Sequence, residues 1–491
     1  VSKSFDRVPS IRVQAANDRS PNTRGDYVLY WMVAYRRVEW NYALDRAIEW
    51  CEELHKPLVI LDALRVDYHW ASDRLHGFIM EGMADNVSRL DGAPVTHYPY
   101  VEPEPGAGKG LLRELAKRAA VIVTDDFPGF FIPRMVRAAS EDLPVRVEQV
   151  DSNGLLPLRA ADRVYPTAFA FRRFLQRRLP DYLLTHPHPS PLADRDLPRP
   201  AAIPSEILRR WAAVDPKLLE DPAGLSSLPL DHGVARTSLK GGSSAANKAL
   251  GNFLIWRLAR YRLERNQPEA RATSGLSPYL HFGHISAHQV FQELIHQEGW
   301  TLSSLRGPAR GGRSGWWGIR EDAEALLDQL VTWRELGFNM AWQREDCDSY
   351  QSLPSWALAT LEKHAVDQRA HLYSLSEFER AETHDPLWNA AQRQLLKEGV
   401  IHNYLRMLWG KKILEWTATP REALAIMIEL NNKYALDGRN PNSTNGIFWV
   451  LGRYDRPWGP ERPIFGTVRY MSSENTARKV RVREYMERYQ T

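Results

Sequence analysis

The apolar residues of this chain fall in two different rhythms, and the change comes near residue 243. Before it, short apolar runs alternate with stretches of helical period. Residues 27–35 read as a buried strand, 38–54 as an amphipathic helix, 57–64 as a second strand and 72–90 as a second helix. Strands follow at 95–101, 119–124 and 145–150, with a helix at 111–118. Strand and helix alternating at this spacing predicts a Rossmann-like parallel α/β sheet.

From Ser243 onward the strand signal fades. Residues 245–264, 286–297, 323–336, 387–397, 401–416 and 420–433 all carry apolar positions at helical period. Thr419-Pro420 starts the last of these with a cap and a first-turn proline, and Gly399 sits where a helix terminator belongs. Between 155 and 238 the chain is rich in Pro and Arg, with one helical stretch at 168–178. It reads as a long connection. The expected organisation is an α/β domain over 1–153, a linker over 154–242 and an all-α domain over 243–491.

Composition narrows the function. The chain has 491 residues, 43% hydrophobic and 25% charged, an ordinary soluble balance. Its N-terminal residues lack a signal-peptide core, and the apolar run at 27–35 is too short to span a bilayer. Cys51 and Cys347 are the only cysteines, so neither a disulfide framework nor a structural zinc site is expected. A soluble, cytoplasmic and monomeric chain without a metal follows. The net charge of +4 is unevenly placed: residues 401–491 hold 15 Lys/Arg against 9 Asp/Glu, which leaves the first 400 near −2. A basic stretch studded with Trp and Tyr suits a nucleic-acid face, and it equally suits a solvated helical surface.

Candidate chemistry lies in the helical half. Gly106-Ala-Gly-Lys-Gly110 lacks the spacing of a phosphate loop and does not follow a buried strand, so it is set aside. Arg271-Ala-Thr-Ser-Gly-Leu-Ser277 offers hydroxyls and free N–H groups ahead of a helix, as a diphosphate requires, although Ser and Thr there are more often simple caps. The balance of 17 Trp beside 19 Tyr and 15 Phe calls for a use. Trp409 and Trp416 stand two helical turns apart on nearly one face, and Trp388 on the preceding helix is placed to stack beside them. Core packing is the ordinary role for each. The stretch from Leu436 to Trp449 reads as a polar, loop-rich segment after the last clear helix.

Four phrases in this half resemble the flavin-binding domain of the class II cyclobutane pyrimidine dimer (CPD) photolyases, within the photolyase/cryptochrome family. They are Leu276-Ser-Pro-Tyr-Leu-His-Phe-Gly283, Asp385-Pro-Leu-Trp-Asn-Ala-Ala-Gln392, Trp409-Gly-Lys-Lys-Ile-Leu-Glu-Trp416 and Tyr434-Ala-Leu-Asp-Gly-Arg-Asn-Pro-Asn442. Tyr30-Trp-Met-Val-Ala-Tyr-Arg-Arg37 and Asn41-Tyr-Ala-Leu44 are similar to the same class.

The resemblance implies light-driven repair of CPD lesions in double-stranded DNA, with FAD as cofactor in the helical domain and its reduced form FADH⁻ as the active one. It leaves open an antenna chromophore, such as a deazaflavin, in the α/β domain. Tyr261, Thr273, Ser274, Gly275, Leu276 and Ser277 match positions that grip the flavin's phosphates and ribityl chain. Arg406 and Asp437 match an ion pair beside its ring, Arg439 a neighbouring cofactor contact, and Asn431 a place near its reactive ring nitrogen. Trp416, Trp388 and Trp409 match an electron-transfer triad, with Trp416 expected nearest the flavin and Trp409 nearest solvent. Trp333, Trp449, Asn403, Tyr404 and Met407 match the lesion pocket. Arg453, Arg456, Arg462, Arg469 and Lys479 are candidates for phosphate contacts.

Two departures stand out. The family usually carries Glu where this chain has Gln329, and Gly-Tyr where it has Ser443-Thr444. Gln keeps a donor and an acceptor but has no ionisable proton, so slower repair is expected. A cryptochrome-like photoreceptor on the same scaffold is the chief alternative, and Gln329 leans toward it. A (6-4) photolyase fits His402-Asn403 less well than a dimer enzyme does.

Overall fold

The computed structural model describes residues 7–193 and 195–490; the first six residues of the N-terminal stretch read above lie outside them. Two compact units emerge: Val1–Ala161 with Leu179–Leu250 and Leu276–Gln297, and Asp162–Arg178 with Gly251–Gly275 and Glu298–Thr491.

The first unit is built on a six-stranded sheet in the order β1-β6-β5-β2-β3-β4. The strands are β1 (Val13–Ala15), β2 (Tyr27–Met32), β3 (Leu58–Leu64), β4 (Val95–Val101), β5 (Ala119–Asp125) and β6 (Val147–Val150). β2 through β6 pair in parallel, as the alternating pattern predicts. β2 and β5 are buried along their whole length, which is why their sequences are continuous apolar runs. The edge strand β1 runs antiparallel to β6 and is a correction to the expected sheet. Three residues with no buried side chain carry no readable period.

Helices α1 (Tyr42–Leu54), α2 (Asp73–Arg89), α3 (Leu111–Ala116) and α4 (Ile132–Asp142) supply the crossovers. Asn41 caps α1 by accepting from the Ala43 N–H at 3.0 Å. The sequence reading missed α4, because only Val136 and Ser140 of its eleven residues are buried.

The second unit is helical. It holds α5 (Ala168–Arg178), α6 (Arg334–Gln343), α7 (Pro386–Glu398), α8 (Asn403–Glu415), α9 (Pro420–Tyr434) and α10 (Pro441–Val450), with shorter helices between them. Three expectations change here. The helix expected over 245–264 stops at Trp256 and resumes as a short turn over Tyr261–Glu264. The helix expected over 323–336 is interrupted by a π-helical turn at Asp328–Trp333. The segment from Leu436 to Trp449, expected as loop, contains α10: the Asn440 side chain accepts from the Asn442 N–H, Pro441 takes the first turn, and Ile447, Phe448 and Val450 are buried. Its Ser, Thr, Asn and Gly residues hide those helix signals.

Two glycines let α10 approach its neighbours. A Cβ at Gly337 of α6 would lie 2.9 Å from the Pro441 carbonyl oxygen, and one at Gly410 of α8 would lie 2.6 Å from Val450. Among the described residues no helix is long and apolar enough to cross a membrane.

Candidate functional site

The site is assembled on α8 and its neighbours. Three residues into α8, Arg406 donates from Nη2 to Asp437 Oδ1 at 3.0 Å, with both side chains largely shielded. Its other guanidinium N–H groups have no partner among the described residues. Asn431 sits near the C-terminal end of α9, buried, and its Nδ2 donates to Ser443 Oγ at 2.9 Å and Asn432 Oδ1 at 3.1 Å. Arg439 is also buried; its Nη1 donates to the Asn432 carbonyl at 2.6 Å, and its backbone takes a φ of 59°.

The Arg257 guanidinium folds the hydroxyl-rich turn by donating to the carbonyls of Thr273 at 2.9 Å and Ser274 at 3.4 Å. Tyr261 is buried edge-on against Phe253, and burial raises its phenol pKa. Tyr261, Thr273, Ser274 and Gly275 belong to the helical unit, whereas Leu276 and Ser277 belong to the first.

The three tryptophans are buried, at 0% exposure for Trp388, 2% for Trp409 and 3% for Trp416. Trp388 on α7 meets Trp416 edge to face with ring centroids 6.1 Å apart, and its indole N–H donates to the Trp409 carbonyl at 3.0 Å. The Trp409 indole N–H is taken by Gln392 Oε1 at 2.9 Å.

Their surroundings differ. Trp416 touches Tyr373 at 5.7 Å and His384 at 4.9 Å, and His384 stacks at 3.9 Å on His371. His371 and His384 are exposed, so Trp416 is the member with surface neighbours. Along α8, Trp409 lies three residues from Arg406, about 4.5 Å of rise, whereas Trp416 lies ten residues away, about 15 Å. Tyr373 and His384 were not found by sequence reasoning; they precede Trp416 by dozens of residues, with no local signal.

The expected lesion residues all lie in the helical unit. Asn403 is exposed at the start of α8, while Tyr404 and Met407 are half-buried. Met407 packs beside Gly446 of α10. Gln329 and Trp333 occupy the π-helical turn, whose buried Leu330, Val331 and Thr332 anchor it. No described side chain bonds the Gln329 amide. A π-turn is a common way to aim side chains at a functional site.

Trp449 is half-buried, with the Arg469 guanidinium 5.3 Å and Lys411 Nζ 5.6 Å from its ring centroid. Lys411 is itself buried and donates to the Val450 carbonyl; burial lowers its pKa to about 7. Lys411 stands inside a quoted motif, yet its burial under Trp449 was not expected.

The basic residues divide. Arg456, Arg462 and Lys479 are exposed. Arg469 is tied to Asp455 at 3.0 Å and stacks on Trp458 at 4.2 Å. Arg453 is a correction. At 2% exposure it stacks on Phe448 at 3.8 Å and donates to Ser352 Oγ and the Cys347 carbonyl, so it braces the fold and does not reach DNA.

No family model matches the chain. It is 34% identical over 484 residues to the deoxyribodipyrimidine photo-lyase of Methanothermobacter thermautotrophicus, covering 97% of each chain. The chain belongs to the deoxyribodipyrimidine photo-lyase family. Relatives of the same name in Arabidopsis thaliana and Potorous tridactylus are 32% and 30% identical, covering 94% and 93% of this chain and 88% and 80% of theirs.

The fold matches a class III photolyase from Agrobacterium tumefaciens with a TM-score of 0.65, at 16% identity, covering 100% of this chain and 88% of that one. It also matches a Synechocystis cryptochrome with a TM-score of 0.67, at 14% identity, covering 94% and 88%. Membership makes the chain an enzyme of the photo-lyase type and implies a flavin cofactor. The residues present fit such a group: Arg406 retains unused donors, Asn431 Oδ1 has no partner among the described residues, and the 273–274 turn is braced by Arg257.

Proposed function

We propose that the chain is a class II CPD photolyase that reverses pyrimidine dimers in double-stranded DNA under blue or near-ultraviolet light. The observation that carries this reading is the line of buried tryptophans that starts one helical turn from the Arg406–Asp437 pair. A packing role alone gives no reason for three indoles to lead from such a pair to the exposed His371–His384 rim.

Bound and fully reduced, FAD would supply the absorption of light and the electron that opens the cyclobutane ring and then returns. The chain's own residues hold, orient and shield. Thr273 and Ser274 offer hydroxyls and N–H groups to the diphosphate, and Arg406 with Asp437 fixes the field beside the ring. Trp409, Trp388 and Trp416, in that order outward, would relay electrons from a reductant in solution inward to a bound flavin. Trp333 and Trp449 pack against an extruded dimer, Asn403 and Gln329 hydrogen-bond base edges, and Met407 with Tyr404 excludes water. Extruding a poorly stacked lesion costs only about a few kcal/mol, which favours damaged sites. Arg456, Arg462 and Lys479 grip phosphates and set the register.

A photoreceptor role on the same scaffold is favoured by one observation, the neutral Gln329 amide in the π-turn. Oligonucleotides carrying a thymine dimer or a (6-4) photoproduct separate the readings. The proposal expects light-dependent loss of the dimer alone; loss of the (6-4) product, or of neither, rejects it.

A further inference from the structure

Ser443 sits where the resemblance to the class II enzymes implies glycine, and its hydroxyl accepts from Asn431, the side chain that the same resemblance places near the flavin's reactive nitrogen. Three hydrogen bonds fix the roles of the atoms. The Arg439 backbone N–H donates to Asn432 Oδ1 at 2.9 Å, so that atom is an oxygen acceptor. The Asn431 amide atom 3.1 Å from it must then be the nitrogen, Nδ2. An amide nitrogen carries two hydrogens, and the second goes to Ser443 Oγ at 2.9 Å. Both Asn431 donors are thereby consumed, and Oδ1 is left as the amide's uncommitted atom.

We infer that Ser443 is a positioning residue: it holds Asn431 so that the amide presents an acceptor, not a donor, to a bound flavin. This inference rests on the flavin reading above. Glycine at 443 would leave the second N–H free to turn toward the ring. An acceptor beside the reactive ring nitrogen favours the reduced flavin, which carries a proton there, and a donor favours the oxidised form. The substitution sits at the third position of α10, behind Asn440 and Pro441, so the helix start fixes its hydroxyl.

The test is an equilibrium titration of the flavin-loaded chain against reference redox dyes, comparing wild type with Ser443→Ala, Ser443→Gly and Ser443→Thr. One hydrogen bond's worth of reorientation corresponds to about a fivefold change in the equilibrium constant. Ser443→Ala and Ser443→Gly are expected to shift the constant about fivefold toward the oxidised form, while Ser443→Thr, which keeps the hydroxyl, stays with wild type. Flavin bound equally by all four proteins with a single unchanged constant overturns the inference and leaves the flavin reading intact. A wild-type chain that retains no flavin overturns that reading instead.

Discussion

The ring of Trp388 meets the ring of Trp416 edge to face with centroids 6.1 Å apart, although the two residues sit on different elements. Trp388 also reaches Trp409 through its indole N–H, which makes it the middle of the chain. Replacing the member next to the flavin should therefore be the most damaging. Trp409→Phe and Trp388→Phe are each expected to slow light-driven flavin reduction at least about tenfold, with Trp416→Phe less severe because the inner pair is retained. Repair after chemical reduction should be unchanged in all three. Photoreduction kinetics followed by flavin absorbance check the order; Trp416→Phe proving the most severe restores the opposite one.

Gln329 lies in the π-helical turn with Trp333, half-buried, at a position where the class II resemblance implies Glu. A carboxylic acid there can share a proton with the dimer, which an amide cannot. Gln329→Glu is expected to raise the repair quantum yield measurably, because the acid can donate its proton to the dimer. Equal yields would remove Gln329 from the account.

Arg453 and Arg456 are three residues apart and should behave differently. Arg456→Ala is expected to weaken binding of duplex DNA and to reduce the salt slope by about one, the signature of a lost phosphate contact. Arg453→Leu should leave the salt slope alone and lower stability by about 1–3 kcal/mol, through two lost hydrogen bonds and the contact with Phe448. Salt-dependent binding and thermal unfolding of the two variants distinguish them.

Much of this was legible in the residues. The buried strands of the first unit announce themselves because a sheet covered on both faces needs unbroken apolar runs, and α7 and α9 carry clear caps. The candidate tryptophans also fall together as their spacing suggests. The surface neighbours of Trp416, Tyr373 and His384, were not legible, because only the fold brings them there. Nor was the burial of Arg453, since charge predicts exposure until a partner such as Phe448 covers it. Ser443 looked like a loop substitution for the same reason that α10 looked like loop: polar residues mask a helix whose start is set by Asn440 and Pro441.

Lys411 gives a pH dependence. Burial lowers its pKa from 10.5 to about 7, so the folded chain holds it neutral above that value while the unfolded chain keeps it protonated up to about 10.5. Between these limits the unfolded state binds more protons, and stability rises with pH. Below about pH 7 the buried cation costs on the order of a few kcal/mol. Lys411→Met is therefore expected to unfold at a higher temperature than wild type at pH 6, with the gap closing toward pH 10. A gap that is constant with pH contradicts the assignment.

The most direct measurement is dimer reversal itself. The flavin-loaded chain, chemically reduced, is mixed with an oligonucleotide carrying one thymine dimer and divided between blue light and darkness. The account predicts intact thymines in the illuminated sample only, in many turnovers per protein molecule. Bound flavin with no light-dependent reversal contradicts it.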